Sequence, residues 1–462
     1  MPRTPLAEAV DSVVHRAAEV RWRDLDDRTR DAALRLVMDS LGVATVGRLA
    51  PGVEPAVGAS LRLGGADTVA GLGPADAAMV LSILMHAWDF DDVHDGAVVH
   101  AGSVVVPAAL AAARSSGAGG ERVLEGVVAG VELLCRLALA VGEQRGVVRT
   151  AGLGALGAAA AVARVLGLDH AGVHAALSLA LPVSLAPTTR QAVAEGTVIK
   201  RCQPGFACRH GVTAAFLADA GVAASPEWFG GPFGIAAVVS DQDAALARLT
   251  SSSAWQVTEL SLKPYPACRY AHAAISGTAR LLQTVAVDEV SRLRVHVPAG
   301  RGHEIVARPW RRRGHPLVDA QFSIPWLCAA VLERGSVDLR TMLGGALTDP
   351  AIDARADTVD VVRDQPVGET AMTPVRVVAV RADGSTEEVV VRAVPGAPEE
   401  PLRWRDLLAK VEGCLGALGL DRERAHVLHD AVRSLPDRRA DRSMFALLDS
   451  LYFGQSSVEV TR

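Results

Sequence analysis

A chain of 462 residues is too long for one small domain and suits a large domain with a smaller one beside it. Half of its residues are hydrophobic but only 4% are aromatic, so alanine, valine, leucine and glycine must build the core, which suits close-packed helices better than a large β-sandwich. A formal net charge of −5 offers no field for nucleic acid or an anionic membrane, and six scattered cysteines fit neither a disulfide scaffold nor a zinc ribbon.

The N-terminal segment carries acids where a signal peptide would need an apolar stretch. The longest apolar run, Gly152 to Leu166, is broken by Arg164 and too short to span a membrane, so the expected compartment is the cytoplasm. From about Leu6 to Leu249 the periodicity is helical. Within Asp31–Gly42, Leu34, Val37, Met38 and Leu41 share one face. Similar stretches follow at Ala75–Phe90, Val105–Ala113, Val123–Val141, Gly154–Leu166, Ala171–Leu181 and His210–Ala220. Past Leu260 the pattern changes. Val290–Val297 alternates as a strand does, Asp319–Gly335 reads as a helix, and Val375–Val380 and Glu387–Val394 flank Asp383-Gly384, a type I′ hairpin signal. Helical periodicity returns from Trp404 to Tyr452, after the proline-rich stretch Val394–Pro401. The expected organisation is mainly α with an α+β second domain: helical 1–262, an α+β lid 263–398, and a helical return 399–462.

Seven acids and histidines crowd into fifteen apolar-flanked residues: His86, Asp89, Asp91, Asp92, His94, Asp95 and His100. Carboxylates in apolar surroundings need cations or a function. If the helix ending near Phe90 continues, His86, Asp89 and Asp92 fall on one side of it, and Gly96 then swings His100 round separately. An acidic loop capping a helix is the bland alternative. Asp91-Asp92-Val-His-Asp95 also has the form of the aspartate-rich magnesium motif of class I terpene cyclases, but the chain is poor in aromatics and has no matching second motif. A transition-metal site of His86, Asp92, His94 and His100 is possible on ligand type. The Gly152-x-Gly-x-x-Gly157 match to a dinucleotide fingerprint follows no clear strand, so close helix packing accounts better for its glycines. The basic run Arg308–Arg313 reads as a solvated loop.

A second patch, Leu262-Lys-Pro-Tyr-Pro-Ala-Cys-Arg-Tyr-Ala-His272, joins with Asp89-Phe-Asp-Asp and His100-x-Gly in a pattern that resembles the MmgE/PrpD family, which includes 2-methylcitrate dehydratase and cis-aconitate decarboxylase. Gly154–Asp169, Gly196–Lys200 with Pro204-Gly205, and Asp319–Pro325 match in the same order along essentially the whole chain. The resemblance implies a large all-helical domain made from both chain ends, a smaller α+β lid, a homodimer, an active site between the domains and no organic cofactor. It implies a lyase acting on a small carboxylate-type substrate by metal-free acid–base chemistry, either dehydration or decarboxylation. By match, His100 would be the general acid/base, Asp89 an orienting group, Lys200 a cation for a substrate carboxylate, and His272 a second proton donor. Asp92, Tyr265, Arg201, Arg209 and Lys263 are candidates for substrate contact. Taken alone, Lys200 also reads as a surface lysine, His272 as a core histidine and Cys268 as a packing residue.

The chain departs from the pattern at Val93, where threonine is common, and at Ala101, where proline is usual. Val148 and Gln203 stand where histidines are expected. Valine transfers no proton, so the pocket is expected to be more apolar and the substrate altered. An isomerase, epimerase or cyclase, or a non-catalytic scaffold on the same fold, are the alternative readings.

Overall fold

Small side chains decide how the helices meet. In the computed structural model, which describes residues 4–144, 146–185, 189–366 and 372–437, the Arg149–Leu166 helix lies among the Gly102–Ser116, Gly120–Val141, His170–Ala180 and Ile199–Asp219 helices. A methyl at Gly130 would stand 2.7 Å from the Gly157 carbonyl oxygen, and one at Gly157 2.8 Å from Leu134 Cβ. The backbones therefore approach more closely than alanine would allow. Gly154 is less tightly placed: a methyl there would come to 3.2 Å from Ala207 Cβ and 3.3 Å from Val104 Cγ2. Gly154 and Gly157 thus serve helix packing, while Gly152 faces Val147 and the Leu185 backbone.

The last long helix of this array begins at Ile199, eleven residues before the periodicity predicted. The masking feature is Pro204, which sits inside the helix and cannot donate to the Lys200 carbonyl four residues back. Among the described residues no helix is long and apolar enough to cross a membrane.

The described strands are β1 (Val93–His94), β2 (Leu260–Ser261), β3 (Arg292–Pro298), β4 (Val359–Gln365), β5 (Val375–Val380) and β6 (Thr386–Val391). β3 to β6 form a mixed sheet ordered β4-β3-β5-β6, with β3 parallel to β4 and the other pairs antiparallel. The chain is therefore mainly helical with small sheets. The β5–β6 hairpin forms as expected, but not through a type I′ turn. Gly384 alone is left-handed (φ +83°), Gly384 N–H donates to Arg381 O, and the Asp383 carboxylate accepts from Ser385 N–H. A three-residue loop needs positive φ only at its glycine. β4 was not anticipated, since its charged, half-exposed residues show no clean alternation. The helix expected at Asp319–Gly335 is broken into Pro316–Gln321 and Ile324–Arg334. Ser323 caps the second piece through Trp326 N–H, Pro325 begins it, and Gly335 ends it at φ +75°.

Two short connections matter for the site. β1 pairs with β2, Val93 opposite Ser261, which brings Leu262 and Lys263 up to the acid cluster. Leu262 N–H in turn donates to Gly396 O, so the chain entering the 263–398 segment and the chain leaving it lie side by side. The Trp404–Ala417 helix then packs on Asp27–Thr45, where Gly42 makes room for Val411. The part of the expected C-terminal helical return from residue 438 onward lies outside the described residues.

Candidate active site

The Pro74–His86 helix stops at His86 rather than near Phe90, and Asp89 turns the chain in the left-handed region at φ +51°. His86, Asp89 and Asp92 therefore do not share a helical face. Each is aimed at different partners. Asp89 Oδ1 accepts from Lys263 Nζ at 2.8 Å and Lys200 Nζ at 3.2 Å, and its Oδ2 lies 3.8 Å from Arg201 Nη1. Lys263 also donates to the Asp89 carbonyl at 2.8 Å, holding both ends of the strained residue. Burial pushes the Asp89 carboxyl up, but the Lys200, Lys263 and Arg201 cations together hold it well below its ordinary value.

His86 and Asp91 link this group to His100. His86 Nδ1–H donates to Asp91 Oδ2 at 2.8 Å, and its Nε2 accepts from Lys200 Nζ at 2.7 Å. Burial depresses the His86 ring to about 3, so it is neutral, as those two bonds require. Burial likewise lowers Lys200 to about 8 against the opposing pull of Asp89. With 4% exposure it is no surface lysine. His100 Nδ1 lies 2.9 Å from the Asp92 carbonyl oxygen, which can only accept, so Nδ1 carries the proton and Nε2 keeps its lone pair. The His100 backbone N–H donates to Thr150 Oγ1 at 3.0 Å, and Nε2 stands 4.0 Å from Asp89 Oδ1. Burial lowers the His100 pKa, leaving a neutral imidazole.

Asp89, His100 and Lys200 line a cavity of about 150 Å³. Its lining also includes Glu143, Val147–Thr150, Arg190 and Val193, and Cys268–Tyr270, Ile305, Val306, Phe322 and Met372. Gly302 admits the Tyr270 ring, which a methyl there would overlap. Val98, a β-branched residue at φ +51°, lines the cavity two residues before His100.

The remaining sequence candidates take other roles. Lys263 and Arg201 stand behind Asp89 rather than on the cavity wall, and Arg201 also donates to Gln321 Oε1. Gln321 Nε2 spans the Trp88 and Pro266 carbonyls, which gives the Asp319–Pro325 stretch its task of joining the two patches. Asp92 lies off the cavity lining: its carboxylate accepts from Ala101 N–H at 3.1 Å and Gly102 N–H at 2.8 Å and caps the Gly102–Ser116 helix. Burial, with Asp91 and Asp39 nearby, raises its pKa. Arg209 is half exposed and pairs with Asp76 at 2.6 Å. Tyr265 reaches Ser276 Oγ at 3.1 Å and packs edge-on against His272. His272 is fully buried and donates from Nε2 to the Ala267 carbonyl at 3.1 Å, off the cavity wall. Burial drives its pKa well below the usual value. Gln203 is buried in the Ile199–Asp219 helix, also off the wall. Val93 and Val148 do line the cavity.

The expected metal set is not assembled, because His94 bonds Gln256 Oε1 at 2.9 Å and the Ala97 N–H, and Asp92 caps a helix. His86, Asp89, Asp91 and His100 do bring ligand atoms within 4.8 Å of one another. The Lys200 and Lys263 ammoniums already fill the cation role there, so a metal would have to displace them. Asp11, His170 and His174 form a second such group. In it Trp228 Nε1–H donates to His174 Nδ1, so His174 Nε2 carries the proton given to Asp11 Oδ1 and offers no lone pair. In the basic run, Arg312 and Trp310 bond Asp353, and none of its arginines lines the cavity.

A model of the MmgE/PrpD N-terminal domain matches residues 12–247, and one of the MmgE/PrpD C-terminal domain matches residues 265–436. Among curated proteins, the chain is 26% identical to the cis-aconitate decarboxylase-like protein oryM of Aspergillus oryzae, over 96% of this chain and 98% of that one. It is 30% identical to a cis-aconitate decarboxylase of Aspergillus terreus over 45% of each chain. It is 27% identical to the human cis-aconitate decarboxylase over 68% of each.

Proposed function

This chain belongs to the MmgE/PrpD family, and from that premise we propose that it is a lyase that takes a small carboxylic acid into the cavity lined by His100 and Lys200 and removes water or CO2 from it by general acid–base catalysis. One observation carries the reading: a neutral imidazole with its basic Nε2 uncommitted shares a cavity with a buried ammonium. Base and acid thus coexist near neutral pH in the states each needs.

In a dehydration, His100 Nε2 takes the proton from the carbon beside a carboxylate, the C–H pair becomes the double bond, and the imidazolium so formed gives that proton to the departing hydroxyl, which leaves as water. In a decarboxylation, the C–C pair moves onto carbon as CO2 departs, and His100 Nε2 relays a proton taken from water to that carbon. In both, negative charge grows on a neighbouring carboxylate. Lys200, fixed by His86 and Asp89, has one N–H left to meet it. Asp89 orients the ammonium and does not itself move protons, since three cations hold it ionised. His272 and Tyr265, bonded elsewhere, have no step in this scheme. The names of the relatives in Aspergillus and human favour decarboxylation. The proposed site lies in a cleft between the helical domain and the lid, supported by a cavity drawn from residues both before and after 262. A homodimer in the cytoplasm, working without metal or organic cofactor, completes the proposal.

Val148 favours a second reading. With an apolar side chain on that wall, one base and one ammonium suffice for an isomerase or epimerase, which moves a proton without losing a fragment. The test is to incubate purified protein with cis-aconitate, citrate, 2-methylcitrate and simpler dicarboxylates, and to follow CO2 release and alkene formation. A lyase gives one of these products in a His100-dependent way. Rearranged acid without either product would select the isomerase, and turnover undiminished in His100→Gln would remove both readings.

A further inference from the structure

His94 has no step in the proposed reaction, yet it is buried and both of its ring nitrogens are engaged. Ala97 N–H donates to its Nδ1 at 3.0 Å, so Nε2 carries the proton and donates it to Gln256 Oε1 at 2.9 Å. Burial lowers the pKa of the ring, which keeps it in that neutral form. Gln256 is fixed in turn, because its backbone N–H donates to Glu132 Oε2 at 2.7 Å on the Gly120–Val141 helix. The backbone of His94 closes a turn. Its N–H donates to the Val99 carbonyl at 2.9 Å, and its carbonyl accepts from Val98 N–H at 2.7 Å. Inside this turn Val98 sits at φ +51°, a conformation that a β-branched residue leaves unless its surroundings hold it there. Just beyond the two ends of the turn lie the Asp92 carbonyl and the His100 ring. Their contact at 2.9 Å puts the His100 proton on Nδ1 and leaves Nε2 as the base.

We propose that His94 is a positioning residue of the site: its ring holds residues 94–99 in the closed turn that sets His100 Nδ1 on the Asp92 carbonyl and so keeps Nε2 basic. The inference rests on the reading of His100 as the base of the proposed reaction. Without an acceptor at the Nδ1 position, Ala97 N–H loses its partner inside the turn. Val98 then relaxes toward negative φ, and the Asp92 carbonyl and His100 ring move apart. Asp95, in the same turn, bonds outward to Ser261 Oγ and Arg269, and so anchors the turn without closing it. The His94 ring does the closing.

The test reads the ring nitrogens of the full chain carrying 15N-labelled histidine, since long-range 1H–15N spectra separate the two imidazole tautomers without any substrate. The His100 signals are those missing from His100→Gln, and in the parent they should report a proton on Nδ1. His94→Asn places an amide oxygen near the Nδ1 position and should leave those signals in place. His94→Gln places its amide near the Nε2 position, strands Ala97 N–H, and should move His100 toward a mixture of tautomers. Glycine takes φ +51° without strain, so adding Val98→Gly to His94→Gln should return the signals toward the parent's. His100 signals unmoved in His94→Gln, moved alike in both single variants, or not recovered in the double variant overturn the proposal. If His94→Gln does not fold, as circular dichroism will show, the asparagine variant decides alone: signals away from the parent's overturn the proposal, and signals at the parent's uphold it. With an acid that the parent turns over, His94→Gln should lose up to about 100-fold in kcat, the scale of a misplaced catalytic group, with KM little changed because Lys200 is untouched. A kcat equal to the parent's overturns the proposal too. If no acid turns over, the lyase reading falls, while the tautomer comparison still decides the role of His94.

Discussion

Replacing Asp89 with asparagine isolates the charge at the centre of the site. Asparagine is nearly isosteric, keeps an oxygen for Lys263 and Lys200, and tolerates the left-handed backbone at φ +51°, so neither shape nor strain changes much. What disappears is the counter-charge of three buried cations within 3.8 Å, leaving Asp91, 3.9 Å from Lys263, as their nearest carboxylate. Removing one partner from a buried ionic cluster costs about 3–5 kcal/mol, a large part of a domain's stability. Urea midpoints multiplied by the slope of the transition give the difference. Because the Asp89 carboxyl is depressed in the folded protein, its stabilisation is complete above about pH 4, the unfolded value, and fades as pH falls toward its folded pKa. The variant's deficit should therefore shrink in acid. Adding Lys263→Met to Asp89→Asn should recover part of the loss, a coupling of about 0.5–3 kcal/mol between contacting groups. A deficit under about 1 kcal/mol, or strict additivity of the two changes, would refute the cluster as a charge-balanced unit.

Lys200 must be an ammonium to hold a carboxylate, and burial lowers it to about 8, so kcat/KM should fall as pH rises through about 8 rather than near 10; a plateau extending past pH 9 would contradict this. Lys410, on the Trp404–Ala417 helix, donates to Asp39 Oδ1 at 2.6 Å and to the Phe90 carbonyl at 2.8 Å, beside the turn at Asp89. Lys410→Met should lower stability by about 3 kcal/mol, seen as a drop in Tm, because Asp39 is left buried without its cation, and an unchanged Tm would show that the pair contributes nothing. Gly302→Ala must push the Tyr270 ring out of place, so the Tm should fall by the equivalent of about 1–3 kcal/mol; a melting curve matching the parent would mean that the ring has room to move.

Helical periodicity exposed most of the large array because each helix buries a continuous face, as Leu34, Val37, Met38 and Leu41 do in Asp27–Thr45. It failed where local chemistry competes with that signal: at Pro204, which hid the first turns of the helix bearing Lys200, and at the polar edge strand β4. The site was legible in its ingredients and not in its wiring. Asp89, His100 and Lys200 stand out by residue type and order, and the structure brings them to one cavity. His86 and Asp91 were visible in the cluster, but their roles depend on a left-handed turn at Asp89 that no spacing rule predicts. Helical spacing wrongly placed Asp92 on the same face as Asp89. Sequence neighbours also part company, since Arg201 reaches Asp89 while Arg209, on the same helix, faces solvent and Asp76. Lys263 and Cys268–Tyr270 come from one patch, yet the first holds the cluster from behind and the others line the cavity, because β1–β2 pairing fixes only where the patch begins.

Proton transfer at carbon by His100 Nε2 is the central step of the proposed reaction. Its most direct test is deuterium exchange, followed by NMR, at the carbon beside the carboxylate of any acid that the protein binds or turns over in D2O. The account predicts deuterium at that one carbon in the parent protein, little or none in His100→Gln of native fold, and no loss of the parent's rate on adding a chelator. Exchange as fast in His100→Gln as in the parent, or exchange abolished by the chelator and restored by a divalent ion, would contradict it.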